Sequence, residues 1–307
     1  MEDYGLNSEI IEGNNNRNNN RSCCCCCCEN HIGRCIVTKS WREVWENDRR
    51  LLRMIFVLVI VLNIPYGNYV LYPFLLFSTW IHESCHGLAA WSVGGRVSWL
   101  NVYADGSGLA NTLIPNTPIC RAWVANAGYS GTAIVGGILL IFRRHTKGTR
   151  VGMSVMGVCV LLSCVMVVRN VFGLVTLLLI GIFLLLCGWK ATDFWIREVY
   201  SAVASTTCLN AVTSIRALYS PGSATVGGVI TQTTDASTMQ SVTLIPYYIW
   251  ATLWLLTGTI CTIAGILIVL SEPLHITTSA TTSATTKSSF NHEQEEESPI
   301  IRTTELT

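Results

Sequence analysis

Residues 69–93 read YVLYPFLLFSTWIHESCHGLAAWSV, an apolar run interrupted near its middle by His82-Glu83-Ser84-Cys85-His86. At 1.5 Å per residue, about 20 helical residues cover a hydrocarbon core of about 30 Å, so this run is long enough to cross a bilayer. His82 would then lie roughly 20 Å along the segment by helix rise. Two imidazoles and a carboxylate at that depth are costly, and membrane chains keep such groups for ion pathways, proton relays or metal sites. The order His-Glu-x-x-His is itself informative. Positions i and i+4 share one helical face, so both rings can bind one Zn²⁺, while Glu83 sits beside that face and can accept a proton. Zinc lowers the pKa of a water it binds toward about 7, which makes hydroxide available near neutrality.

The rest of the chain agrees with a membrane setting. Half of the 307 residues are hydrophobic and 13% are charged, against roughly 25% in soluble domains. The formal net charge of +1 gives no basic field that would point to nucleic acid. Further apolar blocks occupy residues 51–66, 122–142, 151–168, 172–189, 199–219 and 247–270. The fold expected is therefore an all-α, multi-pass integral membrane protein with six to seven transmembrane helices. Residues 94–121 break the helical pattern. Their alternation over Arg96–Tyr103, followed by Asp105-Gly106, reads as a small β-hairpin after the zinc helix.

Three regions follow: a polar N-terminal tail (1–50), a membrane body (51–271) and a Ser/Thr-rich acidic C-terminal tail (272–307). The tails hold too little apolar surface to offset ordering entropy and are expected to be disordered. The N-terminal one contains an Asn tract and the run Cys23–Cys28. That run lacks the spacing of a zinc finger; S-acylation ahead of a membrane segment and low-complexity drift are equal readings. Basic clusters at Arg42–Arg53 and Arg143–Arg150 should share the cytoplasmic side. That requires either that Leu51–Tyr66 fails to cross or that residues 94–121 do. By the count of crossings, the end of the 69–93 segment and residues 220–240 face the same side.

A catalytic zinc site needs a third protein ligand and an open position. Candidates are Asp105, Asp193, Asp235 and Cys85. The Cys85 side chain points about 100° from its neighbour His86. Asp193 lies between Lys190 and Arg197, and Asp105 lies in a turn signal. Asp235, on the same side as the end of the zinc helix, is preferred; its competing reading is a helix cap or loop acid.

The stretch His82–Ala90 followed by Gly94-Gly95-Arg96-Val97 resembles the zinc helix and following turn of the site-2 protease-like intramembrane metallopeptidases, in the compact branch without a PDZ domain. Gly106-Ser107-Gly108, Ala127–Gly131, Gly136-Gly137, Leu209-Asn210-Ala211 and Asp235-Ala236 are similar to later landmarks, so the resemblance spans roughly Pro73–Trp254. The Leu-Asp-Gly form of the late motif is absent. The resemblance implies a Zn²⁺ cofactor, a membrane-anchored protein substrate, hydrolysis with Glu83 activating water, and endomembrane residence. It also implies close approach of the third helix through Gly128, Gly131, Gly136 and Gly137, and a hydrogen-bonding or packing role for Asn126. The alternatives are a catalytically inactive scaffold or chaperone of the same family and, less well supported, a metal-ion carrier.

Overall fold

A computed structural model describes residues 35–36, 41–144, 146–219, 224–231, 234–270 and 276–277. The Asn tract, Cys23–Cys28 and most of both tails lie outside these. In the unit formed by residues 1–40 and 273–307, strand β1 (Cys35–Ile36) pairs antiparallel with β6 (Ile276–Thr277).

The second unit, Trp41–Glu272, is helical with two small hairpins. Its elements in order are α1 (Trp41–Asn63), α2 (Gly67–Val70), α3 (Tyr72–Ser92), β2 (Arg96–Val102), β3 (Gly108–Leu113), α4 (Pro118–Phe142), α5 (Thr146–Met166), α6 (Val171–Lys190) and α7 (Asp193–Thr213). A 3₁₀ turn (Ser214–Tyr219), β4 (Ala224–Val226), β5 (Val229–Thr231), α8 (Asp235–Thr243) and α9 (Tyr247–Leu270) follow. Helix α1 begins at Trp41, earlier than its apolar block alone indicates. The chain is an integral membrane protein: α4, α5, α6 and α9 are long and apolar enough to cross, with mean hydropathies of 1.5, 1.8, 2.8 and 2.3. An expected total of six to seven also draws on α1, α3 and α7, whose polar residues lower their hydropathy.

Helix α4 is the hub. Pro118 at its first turn and Thr117 as its cap start it cleanly, the Thr117 hydroxyl accepting from the Cys120 N–H at 3.3 Å. Its small residues then face three neighbours. A Cβ on Gly131 would come within 2.6 Å of Cys85 Sγ on α3, one on Gly136 within 2.8 Å of Cys208 Sγ on α7, and one on Gly137 within 3.1 Å of the Cys261 carbonyl on α9. Only the first two of the four glycines expected to meet the zinc helix therefore do so; the other two seat α7 and α9. In lipid, where apolar burial drives no association, such backbone approach supplies the packing.

Helices α3 and α7 carry polar side chains on faces buried in the bundle. Ser201, Ser205, Thr206 and Thr207 are buried on α7, and Asn210 Nδ2 donates to Ser78 Oγ on α3 at 2.9 Å. Such groups are tolerable in a membrane only when they face the bundle.

The β2–β3 hairpin, legible as an alternating stretch, folds back along α3. Gly95 lies against Ala90, while at the other end Tyr72 donates its hydroxyl to the Ala104 carbonyl (2.7 Å) and Thr79 donates to the Gly106 carbonyl (2.8 Å). On its outer edge, Leu100 N–H donates to the Val167 carbonyl at 2.8 Å, so backbone polar groups of the strand find partners inside the protein.

The basic clusters meet at one end. Arg143, at the end of α4, is buried and its Nε donates to Ser201 Oγ (2.5 Å); Arg150 pairs with Asp193 (2.7 Å); and Arg50 of α1 lies over the Phe194 ring (5.5 Å). If both clusters share the cytoplasmic face, as the positive-inside rule expects, α1 does not cross. Epitope tags placed before α1 and between α4 and α5 should be cut by protease from the same face of sealed vesicles. Cleavage from opposite faces would show that α1 crosses.

Candidate metal centre

His82 and His86 stand one helical turn apart on α3, with ring centroids 4.8 Å apart. Asp235 is the first residue of α8. Thr234, not Asp235, caps that helix: its hydroxyl accepts from the Ser237 N–H (3.2 Å) and its own N–H donates to Ser237 Oγ (2.7 Å). The Asp235 carboxylate is thereby left to project elsewhere. Behind it, Ala236 and Met239 pack in a cluster with Ala125, Ile215, Leu218, Ala251 and Trp254, which anchors α8 to α4 and α9.

Three ligand-type atoms converge. His82 Nε2 and His86 Nε2 are 3.2 Å apart, and each is 3.2 Å from Asp235 Oδ2. Corners of a tetrahedron around zinc, with bonds of about 2.0–2.1 Å, lie about 3.3 Å apart. The triangle therefore matches three corners of such a shell and leaves the fourth open. The tautomer of His86 fits the same purpose. Its Nδ1 lies 2.7 Å from the Val124 carbonyl, which can only accept, so Nδ1 carries the proton and Nε2 presents its lone pair. Metal-ligating histidines are regularly oriented by such an outer partner.

Neighbouring elements pack closely on the cluster. Gly128 of α4 lies flat against the pair: a Cβ there would come within 2.6 Å of His82 Nε2 and closer still to His86 Nε2. The Tyr129 ring meets His82 edge-on (4.7 Å, 78°) and stacks on Trp254 (4.9 Å, 17°). Glu83 is 7% exposed. Strand β3 covers it: a Cβ on Gly108 would come within 2.8 Å of Glu83 Oε1, and the Ala110 N–H hydrogen-bonds the carboxyl. His82, His86 and Asp235 can thus hold one divalent metal, with a shielded carboxyl beside them.

The other acids considered stand apart from this cluster. Asp193 pairs with Arg150. Cys85 is a buried free thiol on the far side, against Gly131. Asp105 sits in the β2–β3 turn, where its Oδ1 accepts from Ser107 N–H (2.9 Å) and Oγ–H (2.5 Å). Burial alone would raise its carboxyl, but the Ser107 donors and the Gly228 and Gly227 N–H groups outweigh that and hold it below the ordinary carboxylate value. Asn126 Oδ1 accepts from Trp254 Nε1 (2.7 Å) and Ser130 Oγ (3.1 Å). Gly108 and Tyr129 fall within the landmark stretches Gly106–Gly108 and Ala127–Gly131, but local pattern assigned neither its contact with Glu83 or His82, and no full motif marked a helix after Asp235. The Thr234-to-Ser237 spacing was the one local signal available, with Ser replacing the Glu or Gln of a capping box.

A family model described as peptidase M50B-like matches residues 51–265. No curated protein and no solved structure matches the chain.

Replacing Gly128 with Ala should push the rings apart and cut metal affinity by roughly five- to hundredfold, since overpacking a tight contact costs roughly 1–3 kcal/mol. Gly258→Ala, where a Cβ would meet Val212 at 3.3 Å, should leave affinity unchanged. Zinc titration of the purified proteins measures both, and equal affinity in Gly128→Ala and wild type would contradict the tight fit.

Proposed function

This chain belongs to the peptidase M50B-like, site-2 protease-related family, and from that premise we propose that it is a zinc endopeptidase acting on membrane-anchored proteins, with His82, His86 and Asp235 as ligands and Glu83 as the proton-transfer group. The observation that carries this reading is the 3.2 Å triangle of two imidazole nitrogens and one carboxylate oxygen, with Glu83 next in sequence to one of its corners. The donor set, two His and one carboxylate with a free fourth position, is one that catalytic zinc sites use. When bound there, zinc would polarise a scissile carbonyl and acidify water.

The protein's own groups account for the remaining steps. Glu83 takes one proton from the attacking water and later delivers it to the leaving amine nitrogen, so a single carboxyl serves as base and then acid. The Ala110 N–H and the backbone at Gly108 hold that carboxyl in one place. The Val124 carbonyl keeps His86 in the tautomer whose Nε2 faces inward. Strand β3 lies on one side of the centre and Tyr129, stacked on Trp254, on the other. A substrate helix would be locally unwound to present its peptide bond there.

Glu83→Gln should keep one zinc per chain while cleavage of a membrane-anchored substrate falls by about 10²–10⁴. Asp235→Ala should lose the metal, and Asp193→Ala should keep both metal and cleavage. Equal cleavage by Glu83→Gln and wild type would remove Glu83 from the mechanism. Stoichiometric zinc with no cleavage by wild type would instead leave the chain a scaffold.

A further inference from the structure

Asp105 fails as a metal ligand, yet it occupies a defined place. The β2–β3 turn containing it meets the β4–β5 turn at Gly227-Gly228. Both glycines have positive φ, 59° and 79°, the backbone of a tight hairpin turn that other residues adopt at a cost. Gly227 N–H donates to Ser107 Oγ at 3.0 Å, and the Gly227-Gly228 backbone lies near enough to Asp105 to help lower its carboxyl. The Ser107 hydroxyl donates in turn to Asp105 Oδ1. The Tyr103 ring lies under Gly227, where a Cβ would come within 2.8 Å of it. The two turns are thus joined by the Gly227 N–H, Ser107 Oγ and Asp105 Oδ1 chain of hydrogen bonds and by the Tyr103 ring.

Both turns lead to the metal centre. The first is pinned to α3 by Tyr72 and Thr79, and its outgoing strand starts at Gly108, against Glu83. The second continues through β5, and only residues 232–234 separate Thr231 from Asp235. Asp235 is held from its C-terminal side by Ala236 and Met239 in the α8 cluster. On its N-terminal side the hold is the hairpin whose turn rests on Asp105 and Ser107. The contact between turns thus ties the segment delivering Asp235 back to the helix that carries His82 and His86.

We propose that Asp105 and Ser107 are positioning residues of the metal centre, clasping the Gly227-Gly228 turn so that Asp235 is delivered at ligand distance from His82 and His86 while strand β3 stays over Glu83. This role rests on the metal-site reading given above and goes beyond it by assigning residues that touch neither metal nor substrate.

The test compares wild type, Asp105→Ala, Ser107→Ala, Ser107→Thr and Asp193→Ala as full-length protein in detergent, by zinc titration and by amide hydrogen exchange. Asp105→Ala should still bind one zinc, but with a dissociation constant raised about tenfold, the low end for groups that act through a ligand. Amides of residues 227–228 and 235–239 should exchange faster in the zinc-free form. Ser107→Ala should show a smaller change in the same direction, Ser107→Thr should restore wild-type behaviour, and Asp193→Ala should match wild type in both. Asp105→Ala and Ser107→Ala indistinguishable from Asp193→Ala, with wild type binding zinc, would overturn the clasp alone. Should Asp105→Ala fail to fold, Ser107→Ala decides by the same criteria. A wild-type chain that takes up no zinc would overturn the metal-site reading and, with it, this role.

Discussion

Two imidazole nitrogens and a carboxylate oxygen meet at 3.2 Å from one another. Such an arrangement is unstable by itself, because three electron-rich atoms in a poorly solvated site repel unless a cation or protons lie between them. The fold has to hold them there. It does so with elements that have little freedom: a helix turn that sets the spacing of the imidazoles, a glycine on α4 that lets a second helix lie against both rings, and a capped short helix that presents the carboxylate. None of the three could be relaxed alone. A side chain at Gly128 would enter the space of the rings, and without Thr234 and Ser237 the first turn of α8 would lose its partners for the backbone N–H groups.

The membrane raises the stakes of this arrangement. The apolar helices α4, α5, α6 and α9 can face lipid, whereas α3 and α7 carry His82, Glu83, His86, Ser201, Thr206 and Asn210 and need a polar interior. Small residues on α4 bring the two classes together at backbone distance. The β2–β3 hairpin completes the enclosure, and its strand edge is satisfied by the Val167 carbonyl rather than left open. Open strand edges are not tolerated against hydrocarbon, so this pairing lets irregular backbone run beside the zinc-type helix. The same hairpin sets the environment of Glu83 from one side and, through its turn, meets the segment leading to Asp235.

Much of this was legible in the residues. The i, i+4 spacing of His82 and His86 needs only helix geometry, and the preference for Asp235 needed only a count of crossings. The alternating pattern of Arg96–Tyr103 marked the hairpin. What escaped were features that depend on long-range contact. Gly136 and Gly137 look like Gly128 in sequence, but α7 and α9 rather than α3 lie beside them, and no local pattern tells those neighbours apart. Tyr129 reads as one residue of the Ala127–Gly131 stretch until its ring is seen against His82. Residues 220–240 read as a polar, glycine-rich connection because α8 is short and its apolar contacts, Ala236 and Met239, are only two. Asp105 has the sequence of a turn acid, which it is; its partner turn lies more than a hundred residues away.

We propose that this chain holds a metal through two imidazoles and one carboxylate. X-ray absorption on the zinc-loaded, full-length protein tests it most directly. The expected spectrum has a light-atom first shell at about 2.0–2.1 Å with outer-shell scattering from two imidazoles, reduced to one in His82→Ala. A sulfur shell at about 2.3 Å, or an imidazole signal unchanged by His82→Ala, would contradict it.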